Sequence, residues 1–287
     1  MLVFTTISEF TTWRDGLADD ITVTLVPTMG ALHEGHAELI REASLSAQET
    51  VVTIFVNRIQ FTNAADFEKY PKTFDHDLQL AENSGATVLF APTEAEMSPL
   101  LEQNRLQAGL IGTIWEGRDR PGHFDGVLTV VNQLFALARP RRARFGKKDR
   151  QQLCIISSWA VHYWPKISID AGPTVRDSDG LALSSRNRRL SPRARRAAAS
   201  IPRALRDVQQ AFLDGSISVD DLESIGRSAI TSECVLHYLT VVNPLTLKRE
   251  VSATNESVVI IAATIEGVRL IDNVDLSEPL LLSATNV

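Results

Sequence analysis

Cysteine is nearly absent from this chain: Cys154 and Cys234 are the only two in 287 residues. They lie far apart and lack the spacing of metal ligands, which suggests a reducing compartment rather than a disulfide scaffold. No apolar run approaches the roughly 20 residues that span a bilayer. Met1 to Trp13 mixes threonines with acidic residues and has no basic start before an apolar core, so it does not read as a targeting signal. Basic charge is also in deficit, with 29 Lys and Arg against 35 Asp and Glu and a net charge of −6. That balance argues against a nucleic-acid-binding surface as the main business. Internal repeats and low-complexity tracts are missing as well. What remains is an ordinary globular mixture, 44% apolar and 22% charged, long enough for one large domain or two of ordinary size. The expectation is a cytoplasmic protein with no membrane and no nucleic-acid partner.

Two glycines and two histidines punctuate the stretch Val26-Pro27-Thr28-Met29-Gly30-Ala31-Leu32-His33-Glu34-Gly35-His36. Thr22 to Val26 is a β-branched run that predicts a buried strand, and Ala37 to Gln48, rich in Ala, Glu, Leu and Arg, predicts a helix. A strand, loop and helix in this order is half of a βαβ unit. Ligands of open parallel sheets settle outside the carboxyl ends of the strands, where helix N-termini favour phosphate. Gly30 and Gly35 allow positive φ or close approach of the backbone. His33 and His36, three residues apart, can face one pocket and stabilise charge on phosphate oxygens. The bland alternative is a surface turn with incidental histidines. A zinc protease site fails on spacing, because Gly35 alone separates Glu34 from His36.

Further along, Val51 to Val56 predicts a central strand ending in Asn57-Arg58-Ile59-Gln60-Phe61, whose amides either hold a substrate or merely cap the sheet. Asn63 to Asn83 is helical with a break at Tyr70-Pro71. Asp75 and Asp77 fall in the first turn of its second piece, where carboxylates usually complement the dipole and less often bind metal. Ala86 to Phe90 predicts a third strand, and Thr93 to Gly117 has no legible pattern. Gly117 to Gly126 carries arginines and His123 before a helix over Val127 to Ala138. It lacks the lysine of a P-loop and reads as a flexible loop at a pocket mouth. A fourth strand, Ala143 to Gly146, runs into Lys147-Lys148-Asp149-Arg150-Gln151-Gln152 and a helix over Leu153 to Tyr163. This second glycine-bearing junction suits either phosphate and ribose or plain solvent.

After a strand at Ile167 to Asp170, the segment Pro173 to Arg189 has hydroxyls and arginines in a loop with little apolar anchoring, either a mobile clamp or a basic linker. Helices over Pro192 to Leu213 and Val219 to Ile230 follow, then strands at His237 to Val242, Val258 to Thr264 and Val268 to Ile271. The fold class is therefore α/β: a Rossmann-like parallel-sheet nucleotide-binding domain over residues 1–174, then a smaller α+β lid domain over 175–287.

These segments resemble the pantoate:β-alanine ligase (pantothenate synthetase) family. That family belongs to the nucleotidyltransferase superfamily, which shares a His-x-Gly-His motif with class I aminoacyl-tRNA synthetases. The resemblance rests on PTMGALHEGH at 27–36, FVNRIQF at 55–61, RPGHFDGV at 120–127, FGKKDRQQL at 145–153, PTVRDSDGLALSSRN at 173–187 and RLIDN at 269–273.

It implies ATP-dependent condensation of pantoate with β-alanine through a pantoyl adenylate, with ATP as substrate and Mg2+ expected. By resemblance, Met29, Gly30, Ala31, Leu32, His33, Glu34, Gly35 and His36 form the first ATP-binding loop, with His36 as proton donor to the departing phosphates, assisted by His33. Gln60 and Gln152 hold pantoate, and Gln60 also serves β-alanine. Gly146, Lys147, Lys148 and Asp149 contact the nucleotide, Lys148 on phosphate and Asp149 on ribose. Val175 meets adenine, while Leu183, Ser184, Ser185 and Arg186 close over the triphosphate. A homodimer is expected by resemblance only, and the metal ligands are left unassigned.

Arg58, Lys147, Arg150 and Ala37 depart from the usual proline, glutamate, aromatic and leucine. Lys147 reverses a charge beside Lys148, which makes ATP affinity and its salt dependence expected points of difference. The rival readings are another nucleotidyltransferase, which would dispense with both glutamines, and a binding module without turnover.

Overall fold

Strands buried on both faces need near-continuous apolar runs, and the runs around Val23, Val51 and Val88 form the middle of a six-stranded sheet. The fold is seen in a computed structural model that describes residues 1–278 and residue 280. In chain order the first unit contains β1 (Leu2–Phe4), α1 (Ile7–Asp15), β2 (Val23–Thr28), α2 (Glu34–Ser44), β3 (Glu49–Ile54), α3 (Ala64–Glu68), α4 (Phe74–Asn83) and β4 (Val88–Phe90). It continues with α5 (Glu94–Gln103), α6 (Glu116–Asp119), α7 (His123–Ala138), β5 (Arg142–Gly146), α8 (Arg150–Tyr163) and β6 (Ser168–Gly172).

The strand order is β1-β4-β3-β2-β5-β6, and every pairing is parallel. From β2 the chain winds outward through β3 and β4, then returns to lay β5 on the other side of β2. The switch point of this Rossmann-like sheet is therefore the β2/β5 pair, where ligands of such sheets bind at the strands' carboxyl ends.

Near the N-terminus two elements escape the sequence reading. β1 has three residues, too few to show a period, and it is recognisable only by its pairing of Leu2, Val3 and Phe4 with Val88, Leu89 and Phe90. α1 is capped by Thr6, whose hydroxyl accepts from the Glu9 N–H at 3.3 Å. Its Phe10 is fully buried and stacks on Phe90 with ring centroids 4.1 Å apart. The illegible segment 93–117 holds α5, and then a stretch whose main-chain groups bond to side chains. The Leu106 and Ala108 N–H groups donate to Thr129 and Asp125 of α7 at 3.0 and 2.7 Å. Gln151 of α8 donates to the Ile111 and Ile114 carbonyls at 2.7 and 2.8 Å. Main-chain groups outside a regular helix or sheet still need partners, and here the partners come from distant elements, which leaves no local pattern to read.

The second unit comprises Lys147–Arg150 and the residues from Pro173 onward. Helices α9 (Pro192–Ala198), α10 (Ser200–Leu213) and α11 (Val219–Ala229) pack on an antiparallel sheet, β7-β8-β9, made of Val235–Val242, Val258–Ile265 and Val268–Asp275. α10 and α11 approach closely: a Cβ on Gly226 would lie 2.6 Å from Leu239 Cδ1 and 2.8 Å from Val208 Cγ2. Residues 147–150, which the sequence reading keeps with the nucleotide-binding domain, pack with this unit instead. β9 runs past the expected Ile271, through Asp272 and Asn273 to Asp275.

Candidate active site

Two successive left-handed residues, Gly30 at φ +78° and Ala31 at φ +50°, turn the chain out of β2. For alanine this conformation costs about 1–2 kcal/mol, so something must hold it. The holder is Asp77 of α4, almost fully buried, whose two oxygens accept the Ala31 and Leu32 N–H groups at 2.8 Å each. Thr73 Oγ1 donates to the same carboxylate at 3.0 Å. Charge-assisted bonds from two main-chain amides are strong, and they fix the loop's path. Asp77 therefore neither complements a dipole from the surface nor reaches for metal. The signal for it in the sequence was a charge four residues before the buried Ala81, on the helix's apolar face.

Past the turn, His33 is the N-cap of α2 and His36 lies in its first turn. His33 Nδ1 accepts from the Gly35 N–H at 3.2 Å, and His36 Nδ1 accepts from the His33 N–H at 3.3 Å. Because Nδ1 is the acceptor in each ring, a neutral imidazole carries its hydrogen on Nε2 in both. The rings lie 4.1 Å apart at 44°. The sequence thus builds a reciprocal capping box from two histidines and turns both into Nε2–H donors at a helix N-terminus. Gly35 lies inside α2, so of the two loop glycines only Gly30 uses positive φ. Exposed Glu34 pairs with Arg41 along one face of the helix.

Gln60 ends a short 3₁₀ turn, Arg58–Gln60, just beyond the carboxyl end of β3, and is buried. Its Nε2 donates to Met29 Sδ at 2.8 Å, while Oε1 accepts from Asn57 Nδ2 at 3.1 Å. Asn57 Nδ2 also donates to the Gly126 carbonyl at 2.9 Å, and its Oδ1 is buried without a hydrogen bond among the described residues. The Gln60 carbonyl accepts from His123 Nδ1 at 2.8 Å, which leaves His123 Nε2 to accept from Arg120 at 3.0 Å. Gly126 makes this packing possible, since a Cβ there would stand 2.7 Å from the Ile59 carbonyl oxygen and 2.8 Å from the Gln60 backbone. The segment 117–126, expected to be a flexible loop, is instead α6, a turn and the buried start of α7 behind Gln60. Gln152 stands apart from this network, half-buried in the first turn of α8, whereas its neighbour Gln151 holds residues 111–116.

In the second unit, the turn at 147–149 is clamped from β9. Asn273 Nδ2 donates to the carbonyls of Lys147 and Lys148 at 3.0 and 2.9 Å. Lys147 Nζ reaches Glu278 at 2.6 Å and Asp275 at 3.4 Å, and Arg150 pairs with Asp275. The reversed charge at Lys147 is thus matched locally. Lys148 Nζ lies 3.5 Å from Asp149.

The loop after Pro173 is not weakly anchored, as its composition suggested. Leu181 and Ala182 are buried, and Leu183 N–H bonds the Val175 carbonyl at 2.9 Å. Buried Arg176 grips Asp272 with two bonds, at 2.6 and 2.9 Å. Arg195 bonds Asp177 at 2.6 Å and Asp179 at 2.9 Å, and these carboxylates, Asp177 first, raise its guanidinium pKa above the ordinary arginine value despite some desolvation. Ser184 caps the 3₁₀ turn Ser185–Arg189 by accepting from Arg186 N–H at 3.3 Å. Among the described residues no cluster of three or more His, Cys, Asp or Glu is arranged to hold a metal ion, and no helix is long and apolar enough to cross a membrane.

Comparison with known proteins gives concordant results. Residues 2–275 match the family model described as pantoate-beta-alanine ligase. A pantothenate synthetase of Roseiflexus sp. is 42% identical over 275 residues, covering 95% of this chain and 98% of its own. The crystal structure of pantothenate synthetase from Thermus thermophilus superposes with a TM-score of 0.91 at 37% identity, covering 97% of this chain and all of that one. The pantoate-beta-alanine ligase of Francisella tularensis, solved with beta-gamma ATP and beta-alanine, gives 0.82 at 32% identity over 98% of this chain and all of its own.

Proposed function

The chain belongs to the pantoate–β-alanine ligase family and is an ATP-dependent ligase that joins pantoate to β-alanine in pantothenate biosynthesis; we propose that it does so through a pantoyl adenylate, with the following division of labour. A pantoate carboxylate oxygen attacks the α-phosphorus of ATP, the bond to the bridging oxygen breaks, and pyrophosphate leaves. The β-alanine nitrogen then attacks the acyl carbon, loses a proton, and AMP departs. Both substrates supply the reacting atoms, so the protein's work is alignment and charge stabilisation.

His33 and His36 offer Nε2–H donors to the phosphates, with His36 serving the departing group. Gln60 and Gln152 hold pantoate, Gln60 also receives β-alanine, and the loop from Met29 to His36 cradles the nucleotide. In the second unit Lys148 takes phosphate charge, Asp149 the ribose, Val175 the adenine, and Leu183 to Arg186 the triphosphate.

The observation that carries this reading is the bond from Gln60 to Met29. It ties the amide assigned to the acid to the loop assigned to the phosphates, and an acid attacking phosphorus requires those groups to be neighbours.

Mg2+ keeps several waters and is usually held by substrate phosphates with one or two carboxylates. Asp77, the carboxylate that holds the loop, is already committed to two main-chain amides, so no resident metal site is formed there. We therefore assign Mg2+ to ATP itself, as part of the substrate. A cytoplasmic homodimer completes the proposal and rests on the family resemblance; light scattering on the purified protein checks the dimer.

The direct test is AMP release from ATP with pantoate and β-alanine each omitted in turn. AMP is expected to accumulate only with all three substrates, and equal release without pantoate would overturn the reading. For Gln60→Ala, the pantoate KM is expected to rise by about tenfold or more while ATP binding changes little; an unchanged pantoate KM removes that assignment.

A further inference from the structure

The RLIDN segment, 269–273, carries no role in the division above, yet its last two residues lie where both ATP-handling segments of the second unit are fastened. Successive residues of a strand point to opposite faces, so the end of β9 can serve two partners at once. Asp272 takes Arg176 in a bidentate pair, almost entirely buried on both sides. Arg176 also donates to the Gly180 carbonyl at 3.1 Å and to the Asn273 carbonyl at 3.2 Å. Through Arg176 the strand holds the loop in which Arg176 faces Ala182 across an antiparallel bridge and Val175 bonds Leu183. Asn273, itself buried, spends both amide hydrogens on the carbonyls of Lys147 and Lys148.

We infer that Asn273 is a positioning residue for ATP: its amide fixes the 147–149 turn in the one conformation that presents Lys148 and Asp149, in register with the loop that the neighbouring Asp272 holds through Arg176. The physical argument is one of population. Residues 147–149 form a 3₁₀ turn at the start of α8, and a turn this short, once it loses the two side-chain bonds to its carbonyls, samples further conformations. A ligand that binds one of them sees its apparent affinity fall by the fraction of time that conformation is occupied. The surrounding ion pairs of Lys147 and Arg150 act on side chains and do not replace bonds to the main chain. The inference rests on the assignment of Lys148 and Asp149 to ATP.

The test compares Asn273→Asp, Asn273→Ser and Lys148→Ala with the wild type, reading KM for ATP, KM for pantoate, kcat at saturating ATP, and the melting temperature. Aspartate would set a charged acceptor against two carbonyls, and serine has one hydrogen to give where two are needed. Both are expected to raise the ATP KM by about tenfold, with the pantoate KM and kcat within about threefold of wild type. Lys148→Ala is expected to raise the ATP KM as well. A raised ATP KM in Lys148→Ala, with Asn273 variants that lower only the melting temperature, overturns the positioning role and leaves the ATP assignment standing. An unchanged ATP KM in Lys148→Ala overturns the ATP assignment of the turn itself. Should the aspartate variant fail to fold, the serine variant reads the same constants.

Discussion

In the first unit, the loop from Met29 to His36 hangs chiefly on one carboxylate, Asp77, which receives the main-chain amides of Ala31 and Leu32, 46 and 45 residues before it. In the second unit, the turn at 147–149 and the loop at 175–186 are held by side chains: an amide on two carbonyls, a buried arginine–aspartate pair, and ion pairs nearer the surface. The first arrangement takes its shape from the backbone at the end of a parallel strand, where Thr28 Oγ1 accepts the Gly30 N–H at 3.1 Å and the Asp77 carboxylate takes the next two amides. The second also begins at strand ends, those of β5 and β6, yet it needs a different partner for each piece. A loop locked through buried amides is expected to ignore salt, whereas an anchorage that includes half-exposed ion pairs is expected to feel it.

Mutations can break this contrast, beginning with the largest effect. His36→Ala is expected to slow adenylation by about 10²–10⁴-fold, measured as pantoate-dependent pyrophosphate release in a single turnover; a rate within a few-fold of wild type would show that the ring serves only as a cap. Arg176→Ala leaves Asp272 buried without its counter-charge and is expected to cost about 3–5 kcal/mol of stability, read from urea unfolding. A cost under about 1 kcal/mol would mean that the pair is not the fastening of the second unit's loop. Asp77→Asn keeps the shape but loses the charge and replaces one of the two acceptors of the Ala31 and Leu32 N–H groups with a donor, and about 2–3 kcal/mol is expected to be lost, with the loss independent of salt. A salt-dependent loss would erase the distinction drawn between the two anchorages. Arg195→Ala removes the half-exposed pairs to Asp177 and Asp179 and is expected to cost no more than about 1 kcal/mol at low ionic strength. That cost should fade near about 1 M salt, and one that persists there would place these pairs with the buried anchors.

Much of the candidate site's local geometry was legible in the sequence because its signals are local. Gly30, His33 and His36 mark a strand-to-helix junction through residue types that only such a junction uses together, and the sheet order puts that junction at the switch point where phosphate chemistry is expected. The apolar runs of β2 and β3 were legible for the same reason, since a strand buried on both faces has little choice of composition. The 104–116 segment was not, because its main-chain groups bond to Thr129, Asp125 and Gln151, residues that carry no mark of that task. β9 looked finished at Ile271 because Asp and Asn are poor strand formers; they continue it because Arg176 and the Lys147 and Lys148 carbonyls satisfy their side chains.

Residue type and spacing therefore indicated the class of fold and marked the loop from Met29 to His36 as a candidate phosphate site, and the resemblance of local motifs indicated the family; all of these depend on patterns among near neighbours in the sequence. The tertiary structure decided what holds that loop in place. It turned Asp77 from a dipole partner into the anchor of the His33–His36 junction, placed Gly126 against Gln60, and gave Asn273 the 147–148 turn. Each of these contacts joins residues dozens of positions apart, and the free energy of a buried hydrogen bond depends on the partner that folding delivers. Local spacing does not record that partner.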